Sequence, residues 1–289
     1  MKNIFITGSI NTDLVISTPY MPKKGETLTG SNFFSAHGGK GANQAVACSK
    51  LGGKVFMCGC VGDDSFGLDA INSLKNAGVD TSCVRIVKNT PTGTAVIIIE
   101  NGDNRIILDK GANYSLSKAD IDNFLSNAKV GDYYLTQLEN PIDIIGYGIK
   151  KAKEKGLIVV LNPAPANADI LPYLQYCDYI IPNETETEIL GGKDNLKQYV
   201  NNIIITLGSK GYEIINETMD KIYPCIKVKA VDTTSAGDTF CGGLLACLSQ
   251  EIPLEESAVF ASKSASIACT KKGAQPSIPT KQEVLNFKG

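Results

Sequence analysis

The chain has 289 residues, with 28 Lys and Arg against 30 Asp and Glu, which leaves a net charge of −2. This balance argues against a protein whose main partner is nucleic acid, and no basic block favours an anionic membrane surface. Hydrophobic residues make up 43% of the chain, an ordinary share for a globular protein, and the length allows one large α/β domain with a sizeable core.

The chain begins with a strand-sized apolar stretch that runs from Met1 into Gly8, which is too short for a signal peptide. Nine cysteines are scattered without a CxxC pair, and His37 is the single histidine, so a zinc site has few ligands to draw on. We therefore expect buried thiols in a reducing compartment and a cytoplasmic protein.

Short β-branched segments alternate with segments of helical spacing along the chain. The predicted buried strands are Asn3–Thr7, Val55–Cys58, Asp132–Leu135, Leu157–Leu161, Tyr179–Ile181 and Asn202–Thr206. The predicted helices are Ala42–Leu51, Phe66–Ala77, Ile142–Lys155, Thr185–Leu190, Gly237–Ser249 and Leu254–Thr270, and 193–200 leaves room for about two further turns. Such alternation predicts a mostly parallel sheet covered by helices on both faces.

Two regions break this rhythm. Thr94–Glu100 and Arg105–Leu108 flank Asn101-Gly102, a strong hairpin signal, and the stretch from Leu14 to Phe34 lacks helical period. Together they could form a small accessory sheet that acts as a lid. They could equally extend the edge of the main sheet, and the pattern alone does not decide between the two.

Two motifs in the first fifty residues suit a polyhydroxy ligand. The run from Gly38 to Gln44 is no Walker loop and no dinucleotide fingerprint, but it offers exposed backbone N–H groups and an amide. Asn11 and Asp13, two residues apart in an extended chain, point to the same side and could hold vicinal hydroxyls. A glycine-rich strand-to-helix turn and an Asx turn explain the same residues without a ligand.

A later motif could bind an anion at the start of a helix. A helix that begins near Ala236 would present unpaired N–H groups to an anion, and Asp238 in its first turn could handle a proton. The alternative is that Asp238 only charges the helix start. The segments 183–186 and 206–211 follow predicted strands, at positions where open α/β sheets bind ligands, and each could also be a plain helix start or turn.

Three further segments complete the set of motifs, namely Gln137-Leu138-Glu139, 162–166 and 272–277. The whole set, from Gly8 to Pro279, resembles in its order the PfkB carbohydrate kinase family, and within it the ribokinase subfamily. The resemblance implies a single domain over 1–289 with a ribokinase-like three-layer α/β fold. It also implies a small β lid from about 12–34 and 92–112. The implied reaction is phosphoryl transfer from ATP to the 5-hydroxyl of D-ribose, with Mg²⁺, K⁺ and a homodimer formed through the lid.

The resemblance also assigns roles position by position. Asp238 would be the general base, and Ala236, Gly237 and the Asp238 amide would form the anion hole. The implied sugar site consists of Asn11, Asp13, Gly38, Gly39, Lys40, Asn43, Glu139 and Asp238. The implied nucleotide site consists of Asn183, Thr206, Leu207, Gly208, Ser209, Lys210, Gly211, Gly237, Asp238 and Ser262. The implied cation contacts are Asp232, Thr234, Ala268, Lys271, Gly273 and Ser277 for K⁺, and Glu186 through water for Mg²⁺.

Three other interpretations compete with a ribose kinase. A family member acting on a nucleoside, fructose or a deoxy-sugar is the nearest, although the polar set suits a free sugar better than a base. A sugar sensor without turnover is opposed by the presence of Asp238, and an NAD-linked oxidoreductase by the missing GxGxxG. His37 stands where the resembling family more often has an aromatic or apolar residue, and it could reach the sugar or pack beside the lid.

Overall fold

The computed structural model describes residues 1–288, which form two sheets surrounded by helices. The strands are β1 (Asn3–Thr7), β2 (Asn11–Thr18), β3 (Ser31–Gly38), β4 (Lys54–Gly62), β5 (Asp80–Val87), β6 (Gly93–Glu100), β7 (Asp103–Asp109), β8 (Tyr133–Thr136), β9 (Ile158–Leu161), β10 (Tyr179–Ile180), β11 (Asn202–Thr206), β12 (Tyr212–Asn216) and β13 (Met219–Tyr223). The α-helices are α1 (Lys40–Lys50), α2 (Ser65–Asn76), α3 (Lys118–Leu125), α4 (Ile142–Glu154), α5 (Glu184–Ile189), α6 (Lys193–Leu196), α7 (Ala236–Leu248), α8 (Leu254–Ala268) and α9 (Lys281–Asn286).

The larger sheet has nine strands in the order β13-β12-β11-β10-β9-β8-β1-β4-β5. The seven strands from β11 to β5 are parallel to their neighbours, whereas β12 and β13 add an antiparallel edge. The prediction of a mostly parallel sheet is therefore confirmed. Strands β4 and β8 lie on either side of β1, so the order in which the chain adds strands to the sheet reverses at β1. At such a switch point the carboxyl ends of the strands form a crevice.

Successive side chains of β1 enter two separate cores, which gives the fold its three layers. Ile4 and Ile6 pack with buried residues of α1, α7 and α8 on one face. Phe5 points to the other face, where its ring stacks on Phe56 at 5.1 Å and meets the edge of Phe124 of α3 at 5.2 Å. A strand that buries both faces reads as a continuous apolar run, as this segment does.

Helices α1 and α7 approach each other closely because small residues face across their contact. A Cβ on Gly242 would lie 2.7 Å from the backbone nitrogen of Cys48, so only glycine allows this separation. The close packing brings the first turns of both helices to the crevice at the carboxyl ends of β1, β8 and β9. The packing of two apolar helices thus determines where their polar ends meet.

The smaller sheet has the order β3-β2-β6-β7 and is separate from the central sheet. The predicted hairpin is confirmed, with β6 and β7 joined by Asn101 and Gly102 at φ values of 51° and 89°. Two successive positive φ values are the signature of the two-residue turn that matches the twist of the strands. Much of β7 is exposed, including Ile106 and Ile107.

One local expectation differs in detail. Residues 193–200 form only the four-residue helix α6, because Tyr199 turns back to the Leu196 carbonyl at 3.0 Å before β11 begins. All nine cysteines are free, and six are buried, as expected. Within residues 1–288, no helix combines the length and apolar character needed to cross a bilayer.

Candidate active site

The carboxylate of Asp238 lies at the crevice, in the first turn of α7, and is 7% exposed. Its Oδ1 accepts a hydrogen bond from Gln44 Nε2 at 2.9 Å, and its Oδ2 accepts one from Asn43 Nδ2 at 3.1 Å. Asn43 Nδ2 also donates to Ser235 Oγ at 3.0 Å. The amide of Asn43, which the sequence assigned to sugar hydroxyls, therefore lies against the carboxylate itself.

The start of α7 leaves backbone amides without partners. Ser235 precedes the helix in the left-handed region at φ 59° and makes no side-chain cap. Within residues 1–288, the N–H groups of Gly237 and Asp238 have no hydrogen-bond acceptor, and the space beside the Gly237 Cα is open. Ala236 differs from the expectation, because its N–H donates to the Thr233 carbonyl at 3.2 Å. Two free amides and the positive end of the helix dipole remain for an anion.

The start of α1 is closed to ligands, contrary to the expectation of exposed N–H groups between Gly38 and Gln44. The N–H of Lys40 donates to Glu139 Oε2 at 3.0 Å, and that of Ala42 donates to the Ser9 carbonyl at 2.9 Å. Gly41 N donates to Ser9 Oγ at 3.3 Å, and Ser9 Oγ–H donates to Glu139. These bonds anchor α1 to the loop after β1 and leave the amides of residues 40–42 unavailable to a ligand, whereas the N–H of Gly39 has no acceptor in the described chain.

Several side chains expected at the sugar site converge on this crevice. Asn11 is buried, with Oδ1 accepting from Asn113 Nδ2 at 2.7 Å, which leaves its own N–H₂ as donor. Asp13 lies beside Gly38 on the paired strand, where a side chain larger than hydrogen would collide with the carboxylate. Burial, together with the nearby charges of Glu139 and Asp238, raises the pKa of Asp13 from 3.8 to about 6.

Lys40 is the cation among these acids. Burial alone would lower the pKa of its ammonium, but the charges of Asp238, Glu139 and Glu186 outweigh burial and raise it. Burial raises the pKa of Glu186, against the opposing effects of its hydrogen bond with Asn183 and the charge of Lys40. Clustered acids with perturbed pKa values around one lysine are typical of functional sites.

A buried set of amides surrounds Asp238, and the sequence did not assign any role to it beyond Asn43. Gln137 Nε2 donates to Gln44 Oε1 at 2.6 Å, and Gln44 Nε2 donates to Asn162 Oδ1 at 2.9 Å. On the opposite side, Gln275 Nε2 donates to Asn43 Oδ1 at 3.3 Å. The motifs containing these residues were visible in the sequence, but their convergence depends on the fold.

The residues expected to border a nucleotide lie along the next part of the same sheet edge. Asn183 and Glu186 form a reciprocal capping box at the start of α5, with both hydrogen bonds at 2.8 Å. Asn183 also bridges to Thr206, after which Gly208 and Gly211 take positive φ values of 56° and 112°. Leu207 precedes this turn and Ser209 and Lys210 lie within it, where the exposed Lys210 pairs with Glu184 at 3.0 Å. Ser262 is buried on α8 and makes no hydrogen bond to another site residue in the described part of the chain.

The two loops assigned to a monovalent cation are joined to each other. Asp232 Oδ2 accepts from Gly273 N at 2.9 Å, and Oδ1 accepts from the Thr234 hydroxyl at 2.6 Å. Burial works to raise the pKa of Asp232, but these hydrogen bonds outweigh it and lower the pKa. The Ala268 carbonyl accepts from Lys271 N at 3.1 Å, and Ser277 Oγ donates to the Ala274 carbonyl, a residue outside the predicted set.

His37 lies on the face of the smaller sheet opposite to the sugar residues. It pairs with Thr12, whereas the neighbouring pairs are Asn11 with Gly38 and Asp13 with Ala36. Since side chains alternate along strands, His37 points away from Asp13. Of the two positions considered for His37, packing beside the smaller sheet is the one observed.

Comparisons with known proteins identify the relatives of this chain. The family model described as pfkB family carbohydrate kinase matches residues 1–281. Ribokinase of Haemophilus influenzae is 41% identical, covering 99% of this chain and 98% of that protein, and deoxyribokinase of Salmonella typhimurium is 38% identical with the same coverage. Among solved structures, ribokinase from Thermotoga maritima has a TM-score of 0.90 at 37% identity, covering 99% and 98% of the two chains. Arabidopsis thaliana ribokinase complexed with ribose and ATP has a TM-score of 0.87 at 30% identity and 99% coverage of both.

Proposed function

This chain belongs to the pfkB family of carbohydrate kinases, and from that premise we propose that it transfers the γ-phosphoryl group of ATP to the 5-hydroxyl of D-ribose. The observation that carries the proposal is the Asp238 carboxylate, which lies in the crevice directly beside two free backbone amides. A base for an alcohol next to a site for phosphate oxygens is what a sugar kinase requires.

Asp238 acts as the general base in this proposal. As the sugar oxygen attacks the γ-phosphorus, its proton passes to the carboxylate, and the bond from phosphorus to the β–γ bridging oxygen breaks to release ADP. The base accepts the proton late in the reaction, so a carboxylate of ordinary basicity suffices. Lys40 stabilises the surrounding negative charge, as its interaction with Asp238 indicates.

The amides of Gly237 and Asp238 stabilise the phosphoryl group during transfer. Both N–H groups are free, and they lie at the positive end of the thirteen-residue α7. Bound Mg²⁺ would neutralise part of the charge on the ATP phosphates. Glu186 suits a water-mediated contact to Mg²⁺, because only Oε2 is used in its capping bond. We place the nucleotide along 183–186 and 206–211, where the loops border the same edge.

The sugar site combines donors and acceptors for several hydroxyls. Asn11 offers its N–H₂ group, Lys40 its ammonium, and Asp13 and Glu139 offer carboxylate oxygens. Buried polar groups of this kind discriminate strongly between hydroxylated ligands and analogues that lack a hydroxyl. The preference for free sugar over nucleoside follows from this polar lining.

We further propose a K⁺ site between the loops around Asp232 and Gly273. Carboxylate, hydroxyl and carbonyl oxygens suit a hard monovalent cation, and the Asp232–Gly273 bond already holds the two loops together. K⁺ would add positive charge behind the loop that leads into α7. Asp232 and Thr234 lie shortly before α7, so a cation that holds these two residues in place would also hold the free amides at the start of α7 in place.

The smaller sheet is proposed to be a lid and a dimer interface. Large apolar side chains are exposed on it, with Phe33 at 65% and Ile107 at 67%. Exposed apolar side chains on one sheet are typical of a surface that another chain covers. We therefore propose a homodimer formed through this sheet, in a cytoplasmic setting where the free thiols stay reduced.

An ATP-coupled assay over ribose, deoxyribose, fructose and nucleosides, with and without K⁺, tests the proposed function. Ribose should have the highest kcat/KM, and a nucleoside or fructose above ribose would contradict the substrate assignment. Deoxyribose is the specific second candidate, because a deoxyribokinase is among the relatives at 38% identity. A higher kcat/KM for deoxyribose than for ribose would replace the first candidate by the second.

A further inference from the structure

Gln44 is a completely buried amide in contact with the Asp238 carboxylate. It lies in the second turn of α1, one residue after Asn43. Its Nε2 reaches Asp238 Oδ1 and Asn162 Oδ1, both at 2.9 Å, so both of its N–H bonds are used. Its Oε1 accepts from Gln137 Nε2 at 2.6 Å.

The orientation of the Gln44 amide is fixed by Asn162, whose Nδ2 donates to the Ile181 carbonyl at 2.8 Å and whose Oδ1 therefore faces the N–H₂ group of Gln44. The same N–H₂ group faces the Asp238 carboxylate, which accepts its other hydrogen bond. The carbonyl oxygen of Gln44 then faces Gln137, which supplies a donor. If the amide turned over, oxygen would face oxygen at Asp238 and nitrogen would face nitrogen at Gln137. Gln44 therefore presents a donor, and not an acceptor, to Asp238 Oδ1, and a donated hydrogen bond favours the charged form of a carboxylate.

Charged groups of both signs surround the Asp238 carboxylate. The titratable groups around it are Asp13 of β2, Lys40 of α1, Glu186 of α5 and Cys241 of α7 itself. Lys40 is the one cation among these four, and two of the others are acids. Hydrogen bonds donated to the charged form of a carboxylate favour that form, and here they come from neutral amides.

We propose that Gln44 is a positioning residue that keeps the Asp238 carboxylate ionised and turned toward the sugar hydroxyl. Gln44 holds Oδ1 while Asn43 holds Oδ2, so rotation of the carboxylate is opposed from both sides. Each oxygen retains a lone-pair direction for the incoming proton. The inference rests on the proposed function, because it deepens the role of Asp238 as the base.

The test compares Gln44→Met with Gln137→Met. Both changes remove a buried amide of the same size, but only the first removes a donor to Asp238, since Gln137 contacts Gln44 instead. Gln44→Met should lower kcat roughly 10- to 100-fold and move the acid limb of the kcat–pH profile upward by about one to two pH units. The Kd for sugar, measured by calorimetry without ATP, should change less than about threefold, because Asp238 is still present.

Gln137→Met should lose far less kcat and keep the acid limb of the wild type. Equal losses of kcat in the two variants, or an unmoved acid limb in Gln44→Met, would overturn the proposal and leave Gln44 a purely structural residue. If Gln44→Met does not fold, Gln44→Glu keeps the shape and places a carboxylate against Oδ1. It should move the acid limb further upward, and an unmoved limb would again refute the inference.

Failure of the proposed function gives a different result. The comparison uses whichever sugar in the panel has the highest kcat/KM, so it stays valid if ribose is not the substrate. If Asp238→Asn itself retained turnover, the base assignment would be wrong before Gln44 is considered. With Asp238 established as the base, the variants at Gln44 and Gln137 decide the role of Gln44.

Discussion

The carboxyl of Asp13 should make the ligand-free protein less stable at neutral pH than it would be with an amide at that position. Its pKa is raised from 3.8 to about 6, chiefly by burial and then by Glu139 and Asp238. Folding therefore costs more when Asp13 is ionised, so its contribution to stability is most favourable below pH 4 and is lost as the pH rises through about 6. A shift of about two units corresponds to about 3 kcal/mol.

Asp13→Asn removes this penalty at nearly the same shape. We expect the free energy of unfolding to rise by about 3 kcal/mol at pH 8 and by roughly half of that at pH 5, where the wild-type carboxyl is mostly protonated. Urea unfolding at three pH values, without sugar, measures the difference. The exposed Asp103, which has no ion pair in the described chain, provides Asp103→Asn as a matched control with little effect.

The same substitution should weaken ribose binding strongly, because an acceptor for hydroxyls is lost. In the wild type, the fraction of ionised Asp13 falls from about 0.9 at pH 7 to about 0.1 at pH 5, so the Kd for ribose should rise about tenfold. A variant no more stable than the wild type at pH 8, or a gain that does not depend on pH, would refute the reasoning about Asp13.

Four other outcomes are expected. Lys40→Met should lower kcat/KM for ribose about 10- to 100-fold in steady-state assays, because the substitution leaves the buried acids without their cation. A loss under threefold would count against the proposed role of Lys40. Gly39→Ala should lower the free energy of unfolding by about 1–3 kcal/mol, because φ is 86° and the new Cβ would lie 2.8 Å from the Ser9 carbonyl oxygen. An unchanged midpoint of chemical denaturation would contradict this prediction. Replacing K⁺ by Li⁺ should lower the kcat of the wild type, and Asp232→Ala should abolish the difference in kcat between the two ions. Equal turnover of the wild type in K⁺ and in Li⁺ would refute the proposed K⁺ site. Ile107→Lys should convert a dimer into a monomer in light scattering, and a dimer that persists would place the interface elsewhere.

Much of the scaffold could be predicted because local signals were strong. The run Asn3–Thr7 is apolar on both faces and forms β1, and Asn101-Gly102 allows the positive φ values of a tight turn. Strands β5, β12 and β13 were missed. β5 mixes polar and apolar residues without clear alternation, and the antiparallel pair β12–β13 lies where the helix–strand rhythm ends.

The candidate site was less predictable, because its contacts join distant segments. The motif that contains Gln44 predicts free backbone amides, yet the amides of residues 40–42 are satisfied by Ser9 and Glu139, and the side chain of Gln44 is what reaches Asp238. Neither contact has a local signal. The free amide at Gly237 was predictable, because a helix start without a capping side chain leaves N–H groups unpaired wherever it lies.

The role of Asp238 is the central claim, and Asp238→Asn tests it most directly. The amide keeps the size of the side chain but cannot accept the proton of the sugar hydroxyl. We predict that kcat for ribose falls about 10²- to 10⁴-fold. The Kd for ribose, measured without ATP, should stay within about tenfold of the wild type. A kcat within tenfold of the wild type would contradict the account of this enzyme as a kinase that uses Asp238 as its base.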